Sequence, residues 1–516
     1  MNTRNKTSYL IQPFGERSFE HEKDALGESW NNLFFEHAPF NSDSLLTKTY
    51  LIVGRRGSGK SSLAEHFNYQ TVIPNSRSAN VDQASEYMSD MVKISKHIGG
   101  STDLLINSLV SVWEFVFWQL IYKTYKDEDL LLASAIFLDY QDNSSSKFVK
   151  ILLKGMLNKY VADTGGELID AIEDGITNAE FKRLKSKVVT LASRNPLIIT
   201  IDSREQYSVE NQDEMNIAAA LIQCASKFNR QYAKKGLHVK VFISDEIFPH
   251  IKEDFVLNTA KSVRDPLFLH WRPKDLVRLI CWRYFKYLKY TNLINISERD
   301  IDWDDFAEVR EKMWNPYFGR TLKNNNGIEE GTLPYIIRHS QLRPRQLIMI
   351  CNAIAEFAKK EGTFPIFSAN SLREAVKKAE LELADELINS YSRIYKNAGD
   401  IISALSGLPM VIPGKELDRI APRTASQWKS EPYSSLRFRQ IVAELGIVGR
   451  ERGRRDLKTG IVEADFEFAM RDRLFIHEQD NCVIHPMFYL KLNTKKIDNT
   501  VIYPFPDHPD FMILRE

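Results

Sequence analysis

The sequence predicts an α/β protein: a parallel sheet interrupted by a helical insertion, then an all-helical segment, then a small C-terminal module of helices and a hairpin. Three observations carry this. An apolar strand runs into a glycine-rich loop and a helix at residues 49–66, a second apolar run, Leu197–Asp202, ends in an acid, and a third, Val239–Asp245, follows an amphipathic stretch. Continuous apolar runs of this length, without alternation, read as parallel strands buried on both faces.

The first of these reads Thr49-Tyr-Leu-Ile-Val-Gly54-Arg55-Arg56-Gly57-Ser58-Gly59-Lys60-Ser61-Ser62. The spacing G-x-x-x-x-G-K-S implies a phosphate-binding loop. Its glycines turn backbone N–H groups inward around β- and γ-phosphates, Lys60 supplies a mobile cation, and the Ser61 hydroxyl is placed to ligate Mg²⁺. The following helix adds its positive end to the same anion. The bare pattern arises by chance in roughly a few per cent of chains this long. Here Leu51-Ile52-Val53 enters as a strand and Leu63-Ala64-Glu65 leaves as a helix, so the sequence implies a nucleoside triphosphate, ATP, with Mg²⁺.

Composition bounds the rest. The 516 residues are 43% hydrophobic and 27% charged with a net charge of +1, enough chain for three domains and no global field to recruit nucleic acid or membrane. Cys224, Cys281, Cys351 and Cys482 are scattered without metal spacing and read as buried thiols of a reducing, cytoplasmic setting. The start, Met1-Asn-Thr-Arg-Asn-Lys6, has no apolar core of a signal peptide. The segment Leu104–Tyr122 is apolar enough to resemble a membrane span, but carries Asn107, Ser108, Ser111, Glu114 and Gln119. A mid-span carboxylate costs about 2.5–3.5 kcal/mol on insertion scales, so a buried aromatic helix is the expectation and no membrane partner is implied.

Along the chain, residues 1–48 form a lead-in with Phe14, Phe19, Trp30, Leu33, Phe34 and Phe35, expected to pack on the nucleotide domain, which spans 49–270. Asn75–Gln83 is polar and loop-like. Residues 85–190 read as helices: Tyr87–Ile98, Leu104–Tyr125, Leu130–Tyr140, Phe148–Val161 and Gly166–Ser193 with breaks. Asp202 lies 142 residues after Lys60 (202 − 60), too far for a single crossover, so a helical insertion must separate the two strands. At its strand end Asp202 is the candidate to hold Mg²⁺, with a simple turn residue as the alternative. Glu205 is the nearest acid beyond it, a candidate for orienting the attacking water. Ser244, or alternatively Asp245, ends the third strand where it could reach the γ-phosphate or cap a helix.

A helical domain, 271–395, contains Arg343-Pro344-Arg345, where Arg345 opens an amphipathic helix. Its guanidinium suits a γ-phosphate contact, and a solvated first-turn cation is the alternative. In 396–516, helices at Asp400–Leu405, Gly414–Ile420 and Ser434–Leu445, with Leu436, Ile441 and Leu445 on one side, precede β-like runs near Ala464–Ala469 and Arg473–Glu478. Three helices and a hairpin make a winged helix. Between 436 and 458, Arg437, Arg439, Arg450, Arg452, Arg454, Arg455 and Lys458 face only three acids, an excess of +4. Such a patch suits contact with a DNA backbone, or equally a charged surface that docks protein.

The order of these features resembles the origin-recognition and STAND branch of the AAA-type P-loop ATPases, and more narrowly the bacterial ATPases of anti-phage defence loci. The resemblance covers most of 45–490 and implies a P-loop NTPase fold with a helical lid and a winged helix. By position it makes Gly54–Ser61 Walker A, Asp202 Walker B, Ser244 the sensor strand end and Arg345 the second sensor. The family usually reads Asp-Gly-x-Asp-Glu where this chain has Asp202-Ser-Arg-Glu-Gln206, a departure that bears on the hydrolysis rate rather than on binding. The function implied is a slow ATPase switch working with a separate effector encoded nearby, with self-association as a further expectation. The alternatives are a DNA-binding initiator or loader of replication or a mobile element, and a scaffold that binds ATP without hydrolysing it.

Overall fold

Apolar strands flanked by helices assemble into the parallel sheet that the sequence implies. The structure is a computed structural model and describes residues 12–46, 48–66, 73–137, 144–160, 165–202, 207–254, 266–392, 394–428, 433–453, 460–470 and 473–505. The chain divides into two units, Pro39–His270 and the combination of Met1–Ala38 with Trp271–Glu516.

The first unit holds five strands: β1 (Leu51–Gly54), β2 (Arg77–Val81), β3 (Leu197–Asp202), β4 (Leu237–Ser244) and β5 (Leu267–Phe268). Helix α1 (Lys60–His66) follows β1. All neighbouring strands pair in parallel, in the spatial order β2-β3-β4-β1-β5. Every residue of β1, β3 and β4 is buried, which accounts for their unbroken apolar character. Strand β2 forms where the sequence reads as loop. Its sequence, RSANV, is polar at the exposed positions and buries Ala79 and Val81, the half-covered pattern of an edge strand.

Between β2 and β3 lie the helices of the insertion: α2 (Ala84–Ile98), α3 (Thr102–Tyr125), a short helix Leu130–Ser134, α4 (Ser145–Tyr160), α5 (Gly165–Thr177) and α6 (Ala179–Ala192). The turn expected to stay helical through Tyr140 ends at Ser134, where Ala135 caps it, and 138–143 lie outside the described residues. Helix α3 is long and apolar enough to cross a membrane, and 67% of its most apolar window is buried within the protein. Its polar groups are met there. The Trp113 indole donates to Ile217 O at 3.2 Å, and the Gln119 amide donates to Ala135 O and accepts from Phe137 N–H. A satisfied mid-helix amide is what a protein core requires.

Strand β4 follows α7 (Gln212–Tyr232) and carries Lys240, which has no exposed surface. Its ammonium donates to Ser44 O at 2.9 Å and Leu46 O at 2.7 Å, just before β1. Burial pushes this amine down to about 7, against the carbonyls that favour its charged form.

In the second unit, α8 (Pro273–Tyr290) starts on a proline at a position that needs no donor. Most of the lead-in, Met1–Ala38, groups with this unit, whereas 39–48 groups with the parallel sheet, where Ser44 and Leu46 accept from Lys240. Phe14 stacks on Tyr284 with ring centroids 4.8 Å apart, and Glu22 pairs with buried Arg283 at 2.7 Å. An aromatic lead-in reads the same in sequence whichever core receives it. Further on come a hairpin of β6 (Thr321–Lys323) and β7 (Glu329–Gly331), then α9 (Pro344–Glu361) and α10 (Ala369–Tyr391).

The C-terminal part contains α11 (Ala398–Ser403), β8 (Val411–Pro413), α12 (Gly414–Ile420), α13 (Ser435–Glu444), β9 (Val448–Glu451), β10 (Ile461–Asp465), β11 (Asn481–Ile484) and β12 (Val501–Tyr503). These strands form one sheet, β12-β10-β9-β11-β8. Residues 473–478, strand-like in sequence, form no strand, whereas β9 is a strand that the sequence pattern does not announce. The buried face of α13 is Phe438, Ile441 and Val442, while Leu436 is exposed. Ile441 and Leu445 lie on the buried face as expected, and Phe438 takes the place of Leu436 because a 3.6-residue period groups 438, 441, 442 and 445.

Candidate functional site

The carboxyl ends of the parallel strands share one edge. Gly54, ending β1, lies in register with Ser244, ending β4, and Asp202, ending β3, lies beside Phe242. The chain leaves β1 toward β2 and leaves β4 toward β5, in opposite directions across the sheet. In open α/β sheets a crevice at such a reversal is where ligands bind.

From β1 the chain turns through Arg55–Gly59 into α1. Gly57 and Gly59 have φ of 78° and 97°, a region that side-chain-bearing residues rarely adopt, which is why the loop needs glycine at both places. A Cβ on Gly54 would meet Ser58 Oγ at 2.5 Å, so the loop closes on its own strand too tightly for any side chain there. Lys60 is buried and donates to Gly54 O at 2.7 Å and Arg55 O at 3.2 Å, its ammonium folded back over the loop. Arg55, Arg56, Gly57, Gly59, Ser61 and Ser62 are half-buried, and Ser58 is buried.

Ser61 Oγ donates to Asp202 Oδ2 at 2.6 Å. The two residues predicted to share Mg²⁺ therefore meet, although 141 positions separate them. Asp202 is 2% exposed, at the end of a fully buried strand. Tyr87 of α2 belongs to the same neighbourhood, and nothing in the sequence pattern points to it. Burial, then the charges of Tyr207, Asp202 and Asp82, pushes its hydroxyl well up, and among the described residues that hydroxyl has no hydrogen-bond partner. A carboxylate and a serine hydroxyl are oxygen donors of the kind that hold Mg²⁺ and its waters.

At the end of β4, Ser244 Oγ donates to Glu246 Oε2, while Glu246 Oε1 accepts the Arg56 backbone N–H at 2.9 Å. Asp245, the alternative to Ser244, donates its backbone N–H to Gly54 O at 3.1 Å. Glu246, like Tyr87, is a residue here that sequence reasoning misses. The available signal is an acid two positions past a polar strand end, which is too common to stand out.

The remaining predicted residues fall elsewhere. Glu205, Arg454, Arg455 and Lys458 lie outside the described residues. Arg345 opens α9 in the second unit, with Nη1 on Glu386 Oε1 at 3.0 Å. Arg439 is paired with Asp418 at 3.1 Å and Arg450 with Asp465 at 3.4 Å. Arg437 lies over the Tyr395 ring at 5.4 Å, and Arg452 is exposed. All four cysteines are buried, and burial raises each thiol pKa.

The fold and site define a mixed α/β protein with a five-stranded, all-parallel sheet whose strand ends converge on one glycine-rich loop. No protein-family model, no curated protein and no solved structure matches the chain.

Proposed function

We propose that the chain binds ATP with Mg²⁺ on the Gly54–Ser62 loop and works as a slowly hydrolysing switch ATPase with a P-loop NTPase core. One observation carries the reading: the 2.6 Å bond from Ser61 to Asp202, which joins the residue that would ligate Mg²⁺ to the acid that would steady it. Lys60 would then leave its carbonyls for phosphate oxygens, and Glu205 remains the candidate to orient water. The bound metal would neutralise phosphate charge, and the chain's own groups would orient the triphosphate.

The family-level reading, an AAA/STAND-like ATPase acting with a separate effector in cytoplasmic anti-phage defence, rests on the order of motifs. Support for a winged helix comes from β8, β11 and β9 pairing antiparallel beside α12 and α13. That module keeps a second reading open, a DNA-binding initiator or loader. Calorimetry with MgATP decides the first point: micromolar binding supports it, and no binding overturns it. Duplex footprinting decides the second, since sequence-specific protection favours the loader.

A further inference from the structure

The β4 end is fastened to the phosphate-type loop at two points. Asp245 N–H reaches Gly54 O, and the Glu246 carboxylate takes the Arg56 N–H. Glu246 is itself held in place, because Ser244 donates to its other oxygen and Ile247 N–H closes a turn on Ser244 O at 3.2 Å. It is only 8% exposed. A carboxylate oxygen accepting a backbone N–H presents to this loop the same chemistry as a phosphate oxygen.

We propose that Glu246 is a charge gate on the loop, a positioning residue that sets the discrimination between nucleoside diphosphate and triphosphate. This rests on the nucleotide reading above. A polyphosphate cradled by residues 54–61 brings anionic oxygens toward a buried carboxylate bonded to the same loop. Each further phosphate adds charge, and like charges in a partly desolvated site repel far more than in water. The γ-phosphate therefore competes with Glu246 for the loop, whereas a diphosphate leaves the Arg56 bond in place. Release of Glu246 also releases Ser244, so the triphosphate state differs from the diphosphate state in how the β4 end is tied to β1.

The test is calorimetry of MgADP and MgATP on the wild-type chain and on Glu246→Gln and Glu246→Asp. The wild type is expected to bind ADP at least as tightly as ATP. Glu246→Gln, which keeps an acceptor but loses the charge, should raise ATP affinity about tenfold or more and change ADP affinity less than about threefold. Glu246→Asp keeps the charge and should keep the wild-type order. A wild-type preference for ATP of about tenfold, or equal shifts for both nucleotides in Glu246→Gln, overturns the gate. If neither nucleotide binds the wild type, the nucleotide reading fails and the gate with it; binding without discrimination defeats the gate alone. A ligand-free measurement stands beside these: exchange of the Arg56 amide should quicken in Glu246→Ala, and unchanged exchange means that the latch is not made.

Discussion

The two units handle charge in opposite ways. In Pro39–His270 the reactive groups sit at strand ends, brought from positions 54–61, 202 and 244–246 to one edge, where loop backbone and side chains address a common space. In the second unit, charged side chains are mostly consumed by neighbours. Glu330 accepts from Arg338, Asn324 and Tyr503, all within 3.2 Å, in a buried network. Arg345, Arg439 and Arg450 are likewise paired. The difference teaches that a charge seen in sequence is a functional candidate only after its partners are known. A glycine loop commits its backbone in advance.

The largest effect expected tests the second unit. Arg338→Met should destabilise the chain by about 3–5 kcal/mol, because it strands the buried Glu330 carboxylate. Chemical denaturation reads this, and a loss under about 1 kcal/mol would mean that the network is not tightly buried. On the other side, Lys60→Ala should weaken ATP binding at least a hundredfold, about 2.7 kcal/mol. A change below threefold by calorimetry removes the loop from the site. Asp202→Asn should retain more ATP binding than Lys60→Ala while cutting turnover about tenfold, about 1.4 kcal/mol. Unaltered hydrolysis would reduce the Ser61–Asp202 bond to a structural tie.

pH sharpens the comparison further. Lys240 is held below its ordinary value of 10.5, at about 7, so its contribution to stability is full above 10.5 and is lost as pH falls from there through 7. Glu380, buried in α10, is raised from 4.5 to about 7, chiefly by desolvation against the pull of Arg338. Its contribution is full below 4.5 and is lost as pH rises from there through 7. Unfolding free energies measured from pH 5 to 10 should therefore lose a slope of about 1.4 kcal/mol per pH unit in Lys240→Met above pH 7 and in Glu380→Gln below it. Parallel curves would contradict both. The smallest effect is expected from replacing Arg450, Arg452, Arg454 and Arg455 with Ser. Each arginine that touches duplex phosphate lowers the log–log salt slope by about 0.9, and Arg450, already on Asp465, should contribute least. Unchanged affinity and slope would leave a protein-docking surface.

The loop and the three buried strands are legible in sequence because they rest on local rules: G-x-x-x-x-G-K-S spacing, and apolar runs buried on both faces. Leu197–Asp202 carries the predicted bounds, and the 239–245 run starts two residues earlier, at Leu237. Strand β2 is not legible, since RSANV becomes a strand only by pairing with β3. Neither are Tyr87 and Glu246, whose roles depend on which strand end or helix lies across the crevice. The lead-in misleads for the same reason: Phe14 and Phe19 announce burial but not the surface that buries them.

The strand order has a consequence for synthesis. β1 leaves the ribosome early, yet its partner β4 comes about 190 residues later (Leu51 pairs with Val241) and β5 later still. At about 5–20 residues per second, β1 waits roughly 10–40 s with both edges unpaired. The helices of the insertion pack on one another and are all made before β4, so they can collapse meanwhile. A strand reading Leu-Ile-Val exposed for that interval is a template for wrong pairing. Overexpression should then yield aggregates that bound chaperone reduces, and truncation before β4 should abolish a protease-resistant first unit altogether.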